Sequence, residues 1–237
     1  MLIRVGRVLA ALAMTMLFPA RGALAQAEPR APDTMEARVL ACVVCHGPQG
    51  QGTSNDYFPR LAGKPAGYLY NQLVAFRDGR RRYPPMNYLL EFLPDPYLQK
   101  MAEYFAEQRP PGQPPAMPAN SGDVLAHGRA LVTGGAPDRG IPACSGCHGP
   151  ALVGMEPAIP GLVGLKPTYI SAQLGAWRYG TRTAAAPDCM QMVASLLTEN
   201  DVTAVAAFLS SLPVPADPSP VPRGTLSMPR PCGSEPK

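Results

Sequence analysis

Apolar side chains recur at helical spacing in two widely separated stretches of this chain. Leu98, Met101, Ala102 and Phe105 share one face of a helix beginning at Asp95, and Val202, Val205, Ala206 and Leu209 do the same from Thr198. Residues 65–77 and 167–178 each have a proline near the start, and Gly79 and Gly180 follow just past their ends, the polarity expected of helices. An earlier helix starts at Asp33 or Thr34, where Glu36 is placed to complete a capping pattern. Its counterpart begins near Ser121 or Asp123 and stops at Gly134-Gly135. No run alternates convincingly with period two, so the expected fold class is all-α.

These elements come in pairs because the sequence repeats itself. Tyr68, Gln72-Leu73, Phe76-Arg77 and Gly79 fall on Tyr169, Gln173-Leu174, Trp177-Arg178 and Gly180 at a constant offset. Upstream, residues 58–65 match 159–167 loosely, with one residue of slippage at the Lys-Pro. Downstream, Met86, Leu93 and Tyr104 match Met190, Leu197 and Phe208. Two tandem domains follow, at residues 33–109 and 121–212. A proline-rich, semi-rigid linker joins them over 110–120, and a second proline-rich stretch without helical periodicity fills 213–237.

Each half carries one C-x-x-C-H pentapeptide, Cys42-Val43-Val44-Cys45-His46 and Cys144-Ser145-Gly146-Cys147-His148. This is the attachment signal for haem c. Two thiols three residues apart can each add to a vinyl group of one porphyrin, and the next residue then offers its imidazole to the iron. Cys42, Cys45, Cys144 and Cys147 are therefore expected to hold two covalent haems, with His46 and His148 as proximal ligands. A redox dithiol does not need the following histidine, and a zinc site would want further Cys or His.

The first 25 residues read as a cleaved export signal: Arg4 and Arg7, an apolar run over 8–18, then Ala23-Leu24-Ala25 as the cleavage site. The run is too short to span a bilayer, and nothing later is long and apolar enough, so stable membrane insertion is not expected. Export to the periplasm fits a haem attached outside the cytoplasm. Cleavage takes Arg4, Arg7 and Arg21, and the formal charge falls from +4 to +1. The basic balance of the precursor is thus no argument for nucleic-acid binding. The two cysteines left over, Cys189 and Cys232, are expected to form a disulfide in an oxidising compartment.

For the second axial ligand the repeat selects Met86 and Met190. Each precedes a matched leucine by seven residues, which places both in a loop ahead of the last helix. Met101 belongs to a core stripe, Met117 to the linker and Met228 to the tail, and Met192 breaks the register. His127, outside both motifs, reads as a helix-packing histidine.

The doubled C-x-x-C-H-G, the Pro59-Arg60-Leu61-Ala62-Gly63 run continuing through Tyr68, Gln72, Phe76, Arg77 and Gly79, and the methionine seven residues before a leucine resemble the dihaem cytochrome c4 family. The resemblance spans both halves, from about Asp33 to Leu212. It implies two class I cytochrome c folds whose His/Met-ligated haems face each other across a domain interface. It also implies periplasmic electron transfer with redox protein partners: a terminal oxidase, a quinol-oxidising complex or a dehydrogenase. Tyr68, Arg77, Tyr169 and Arg178 are candidates to hold the haem propionates. The chain departs from the family pattern at Arg80-Arg81-Arg82, at the cysteine directly before Met190, and in its long tail. Three functions follow: a free electron shuttle, the cytochrome subunit of a periplasmic dehydrogenase, or a haem enzyme with Cys189 on iron in a thiosulfate-oxidising type of site.

Overall fold

In the computed structural model, residues 32–112, 114–115 and 121–235 are described; the expected export signal and most of the linker lie outside them. A compact unit runs over Asp33–Lys237. Its first half contains α1 (Met35–Arg38), α2 (Leu40–His46), α3 (Ala66–Arg77), α4 (Pro84–Leu90) and α5 (Asp95–Glu107). Its second half contains α6 (Gly122–Gly134), α7 (Cys144–His148), α8 (Pro167–Arg178), α9 (Cys189–Leu196) and α10 (Glu199–Ser211). Among the described residues the strands form one antiparallel pair, β1 (Gly154–Met155) with β2 (Ile159–Pro160).

The caps explain most of the boundaries. Thr34 Oγ1 accepts from Ala37 N at α1, leaving Glu36 inside the first turn rather than at the capping position. Thr198 and Asp201 form a reciprocal capping box at α10. Asp201 is buried there and also accepts from Arg139, with His127 Nε2 at 2.8 Å. His127 thus ties α6 to α10, and the arginine and the cap together hold the Asp201 carboxyl well below its usual range against the cost of burial. Each half encloses its own apolar core. The first is built on Val39, Leu69, Phe76, Leu98, Met101 and Phe105, and the second on Leu131, Val132, Ile170, Leu174, Val205 and Leu209.

One expectation changes. Met86 and Met190 do not lie in loops but in the short helices α4 and α9. Pro84 and Pro85 pre-set the backbone at the start of α4. At α9, Asp188 caps by accepting from Gln191 N. Both signals were local and too short to register as periodicity.

The halves meet at matching positions of the repeat. Arg81 and Arg182 pair as an antiparallel bridge, and Thr183 N donates to Arg80 O at 2.7 Å. Lys64 Nζ reaches from the first half to Gly161 O at 2.9 Å, and Thr168 Oγ1 from the second to Asp56 at 3.0 Å. Among the described residues no single helix is long and apolar enough to cross a membrane.

Candidate haem sites

Each C-x-x-C-H sequence ends a short helix, and the histidine is its last residue. Gly47 and Gly149 follow at φ +84°, a conformation that lets the chain turn back sharply. The returning segments carry Pro59 and Pro160. His46 Nδ1 lies 3.0 Å from Pro59 O, and His148 Nδ1 lies 2.7 Å from Pro160 O. A carbonyl can only accept, so Nδ1 carries the proton and donates, and Nε2 keeps its lone pair for a metal. Both histidines are buried, and burial holds both imidazoles below their ordinary pKa, against the pull of the carbonyl. They are neutral at pH 7, the form that ligates iron.

The cysteines read the same way. Burial pushes the Cys42 and Cys144 thiols up to about 11. A redox dithiol needs the opposite shift, because the thiolate is the reactive form. Among the described residues no three His, Cys, Asp or Glu side chains gather as a zinc site would require.

In the second half these groups line a cavity of about 170 Å³. Cys144, Cys147 and His148 stand on its walls with Met190, and Ile170, Leu174 and Leu209 make it apolar. Tyr68, Gln72 and Lys64 close it from the first half. Burial lowers the Lys64 ammonium to about 8, with Tyr169 pulling the other way. In the first half Cys42, Tyr68 and Met86 pack, half-buried, against the core around Leu69, Phe76 and Leu98. Cys189 is joined to Cys232, with their Cα atoms 5.1 Å apart.

The arginines singled out from the sequence are engaged elsewhere. Arg77 donates to Asp78, Asp95 and the Leu93 carbonyl, and Arg178 lies over the Tyr179 ring. The interface is instead occupied by Arg81 and Arg182, only 8% and 4% exposed. Arg81 donates to Tyr169 Oη at 2.9 Å, to Gln173 Oε1 at 2.8 Å and to Gln72 Oε1 at 3.1 Å. Arg182 donates to the same two glutamine oxygens, each at 2.7 Å. Arg81 sits 4.4 Å over the Phe76 ring and Arg182 sits 3.7 Å over the Trp177 ring. The signal was present in the sequence: the offset relating Gln72 to Gln173 also relates Arg81 to Arg182, two residues beyond the last matched glycine.

This pair is an electrostatic oddity. Two guanidinium groups are buried side by side, and the hydrogen-bond acceptors they find are neutral. Burial first, then the neighbouring Arg81, pushes Arg182 down to about 10. Unpaired buried cations are costly, and Trp177 Nε1 is a buried donor without a partner. A planar apolar group bearing carboxylates answers all three demands: it fills the apolar cavity, neutralises the arginines and accepts from the indole. Haem is such a group, so the residues present fit it.

The comparisons with known proteins agree. A family profile described as cytochrome c matches residues 36–110. The chain is 37% identical to a thiosulfate dehydrogenase electron acceptor of Thiomonas intermedia, over 81% of this chain and 88% of that one. It is 36% identical to cytochrome c4 of Pseudomonas aeruginosa, over 75% and 86% respectively. The crystal structure of reduced cytochrome c4 from Pseudomonas stutzeri superposes with a TM-score of 0.66 at 32% identity, covering 75% of this chain and 96% of that one. A thiosulfate dehydrogenase from Marichromatium purpuratum gives the same TM-score at 34% identity, with 73% of this chain spanning 36% of that one. With both attachment motifs in place on two cytochrome c folds, the chain belongs to the dihaem cytochrome c4 family, whose members carry electrons through covalently bound haem c.

Proposed function

We propose that this protein, exported through the signal at residues 1–25, works in the periplasm as a single-electron carrier with His/Met ligation at both irons. The domains are taken as 33–109 and 121–212, joined by the linker 110–120 and followed by the tail 213–237. The observation that carries this reading is the duplicated placement of a neutral, carbonyl-anchored histidine at the end of each C-x-x-C-H helix. Met86 and Met190 supply the second ligands. Met190 shares the second cavity with His148, and Met86 packs into the first core. Haem supplies reversible one-electron chemistry when bound. Held by His46 with Met86 and by His148 with Met190, the groups would leave no open site for a substrate, and the thioether sulfurs would favour the ferrous state. The chain's apolar walls keep water from the metal.

Arg81, Arg182 and Trp177 then take the propionates, in place of Arg77 and Arg178, with Tyr68 and Tyr169 completing the polar seam. Replacing Arg182 by leucine removes a buried cation that opposes ferric charge. The potential of the nearer haem is expected to fall by about 60 mV, a tenfold change in its one-electron equilibrium, and spectroelectrochemical titration measures it.

The electron donor or acceptor is taken to be a dehydrogenase, because two relatives bear the name thiosulfate dehydrogenase electron acceptor. The Cys189–Cys232 bond occupies the sulfur that a thiolate-ligated enzyme would need. The test is direct. The pyridine haemochrome should give two c-type haems per chain, and replacing Cys147 and His148 should remove one. The ferric protein should show a sulfur-to-iron near-infrared band for two haem equivalents. A single haem in fully matured protein would sink the reading. Purification without a tag, with or without a larger catalytic subunit alongside, separates a complex subunit from a free shuttle.

A further inference from the structure

The repeat makes the two halves comparable position by position, and they differ most in what covers them. Beyond Leu212 the tail returns along the second half. Val221 N donates to Gly154 O at 3.0 Å, and Glu156 N donates to Val221 O at 2.9 Å. The segment then passes over the attachment helix. A Cβ at Gly149 would lie 3.7 Å from Leu226 Cδ1, and one at Gly146 would lie 3.8 Å from Pro229 Cγ. Arg230 donates to Gly140 O at 2.6 Å. Finally Cys232 bonds to Cys189 in α9, Gly233 N donates to Pro187 O at 2.9 Å, and Asn71 of the first half holds Ser234 O at 3.2 Å. The tail thus runs from α7, with the attachment cysteines, to α9, with Met190. Met228, Arg230 and Cys232 are walls of the cavity itself.

The first half wears no such cover among its described residues. Val44, between its attachment cysteines, is 79% exposed, as is Tyr88 of α4, and Phe92 just beyond is 86% exposed. The position equivalent to Val44 is Gly146, where a Cβ would already lie in van der Waals contact with Pro229, 3.8 Å from its Cγ. Motif and tail are therefore matched to each other in this chain.

We propose that residues 221–235 form a disulfide-anchored strap that closes the mouth of the second haem pocket. This rests on the haem reading above. The bond at Cys189 steadies the helix that presents Met190.

The test uses the full-length holoprotein, its two haems first counted by pyridine haemochrome, so that a failure of the strap is distinguishable from a failure of the haem reading. Imidazole is added to the ferric protein, and the shifted methyl signals of each haem are followed by nuclear magnetic resonance. The second haem should take imidazole slower than the first by about tenfold or more, because its pocket must open locally. Cys232→Ser and Gly146→Val should each abolish that lag and speed hydrogen exchange at the Val221 and Gly233 amides. Gly146→Val restores the residue type of the first motif and so leaves haem attachment intact. Equal imidazole rates in the wild type, or a lag that survives both variants, would each overturn the proposal.

Discussion

Replacing Met190 by alanine should lower the potential of the second haem by on the order of 200 mV, about a quarter of the span over which axial ligation sets haem potentials. The same change should halve the near-infrared sulfur-to-iron band and leave the first haem's potential nearly unchanged. Met190 stands in the first turn of α9, where Asp188 receives both Gln191 N and Ala184 N and the bond from Cys189 holds the next residue in place. Its side chain lines the cavity shared with His148, as does Val193 three residues on. Residues two apart on a helix do not share a face, so Met192→Ala is expected to leave potential and band alone. Met86→Ala should do to the first haem what Met190→Ala does to the second. Potentiometric titration with optical detection checks all three variants. A band lost in Met192→Ala and kept in Met190→Ala would reverse the assignment.

The second large effect concerns the packing beneath the second haem. At Gly128 the helices α6 and α10 touch backbone to backbone: a Cβ there would lie only 2.1 Å from Ala204 O and 2.8 Å from Phe208 Cβ. Around that contact α10 is nearly all buried, and Ala204 is the small residue that faces Gly128. Gly128→Val should therefore destabilise the second half by roughly 3 kcal/mol, the upper part of the usual overpacking range. In a chain of this size that lowers the midpoint of thermal unfolding by about 6–12 °C. Gly134→Ala, in the same helix but with nothing near its Cβ, should instead stabilise by up to about 1 kcal/mol through helix propensity alone. Thermal melts followed by Soret circular dichroism separate the two. Similar melting of Gly128→Val and wild type would show that α10 can shift away without cost.

How much of this was legible beforehand depends on the range of the physics involved. The C-x-x-C-H pentapeptides were readable because the chemistry is local: five consecutive residues bring two thiols and one imidazole to one turn, whatever surrounds them. The helices α3, α5, α6, α8 and α10 were readable because apolar spacing, prolines at their starts and glycines past their ends are also local. Met86 and Met190 could be picked out by register, but not their helices, since one or two turns carry too few residues to show a period.

Tertiary structure decided the rest, because charge and burial depend on neighbours far along the chain. From the sequence, Arg77 and Arg178 looked like the arginines for the propionates, yet Asp78, Asp95 and the Leu93 carbonyl claim Arg77 on the outside of the fold. Arg81 stood in the Arg80-Arg81-Arg82 run and Arg182 between two threonines, with nothing local to mark either as buried. They became the buried seam between the halves only when two domains closed on them and left Gln72, Gln173 and Tyr169 as neutral partners. The sequence likewise singled out the Cys189 and Cys232 pairing by elimination, but not where the tail lies. That is a matter of long-range contacts, which set Pro229 beside Gly146 and Leu226 beside Gly149 over the second attachment helix.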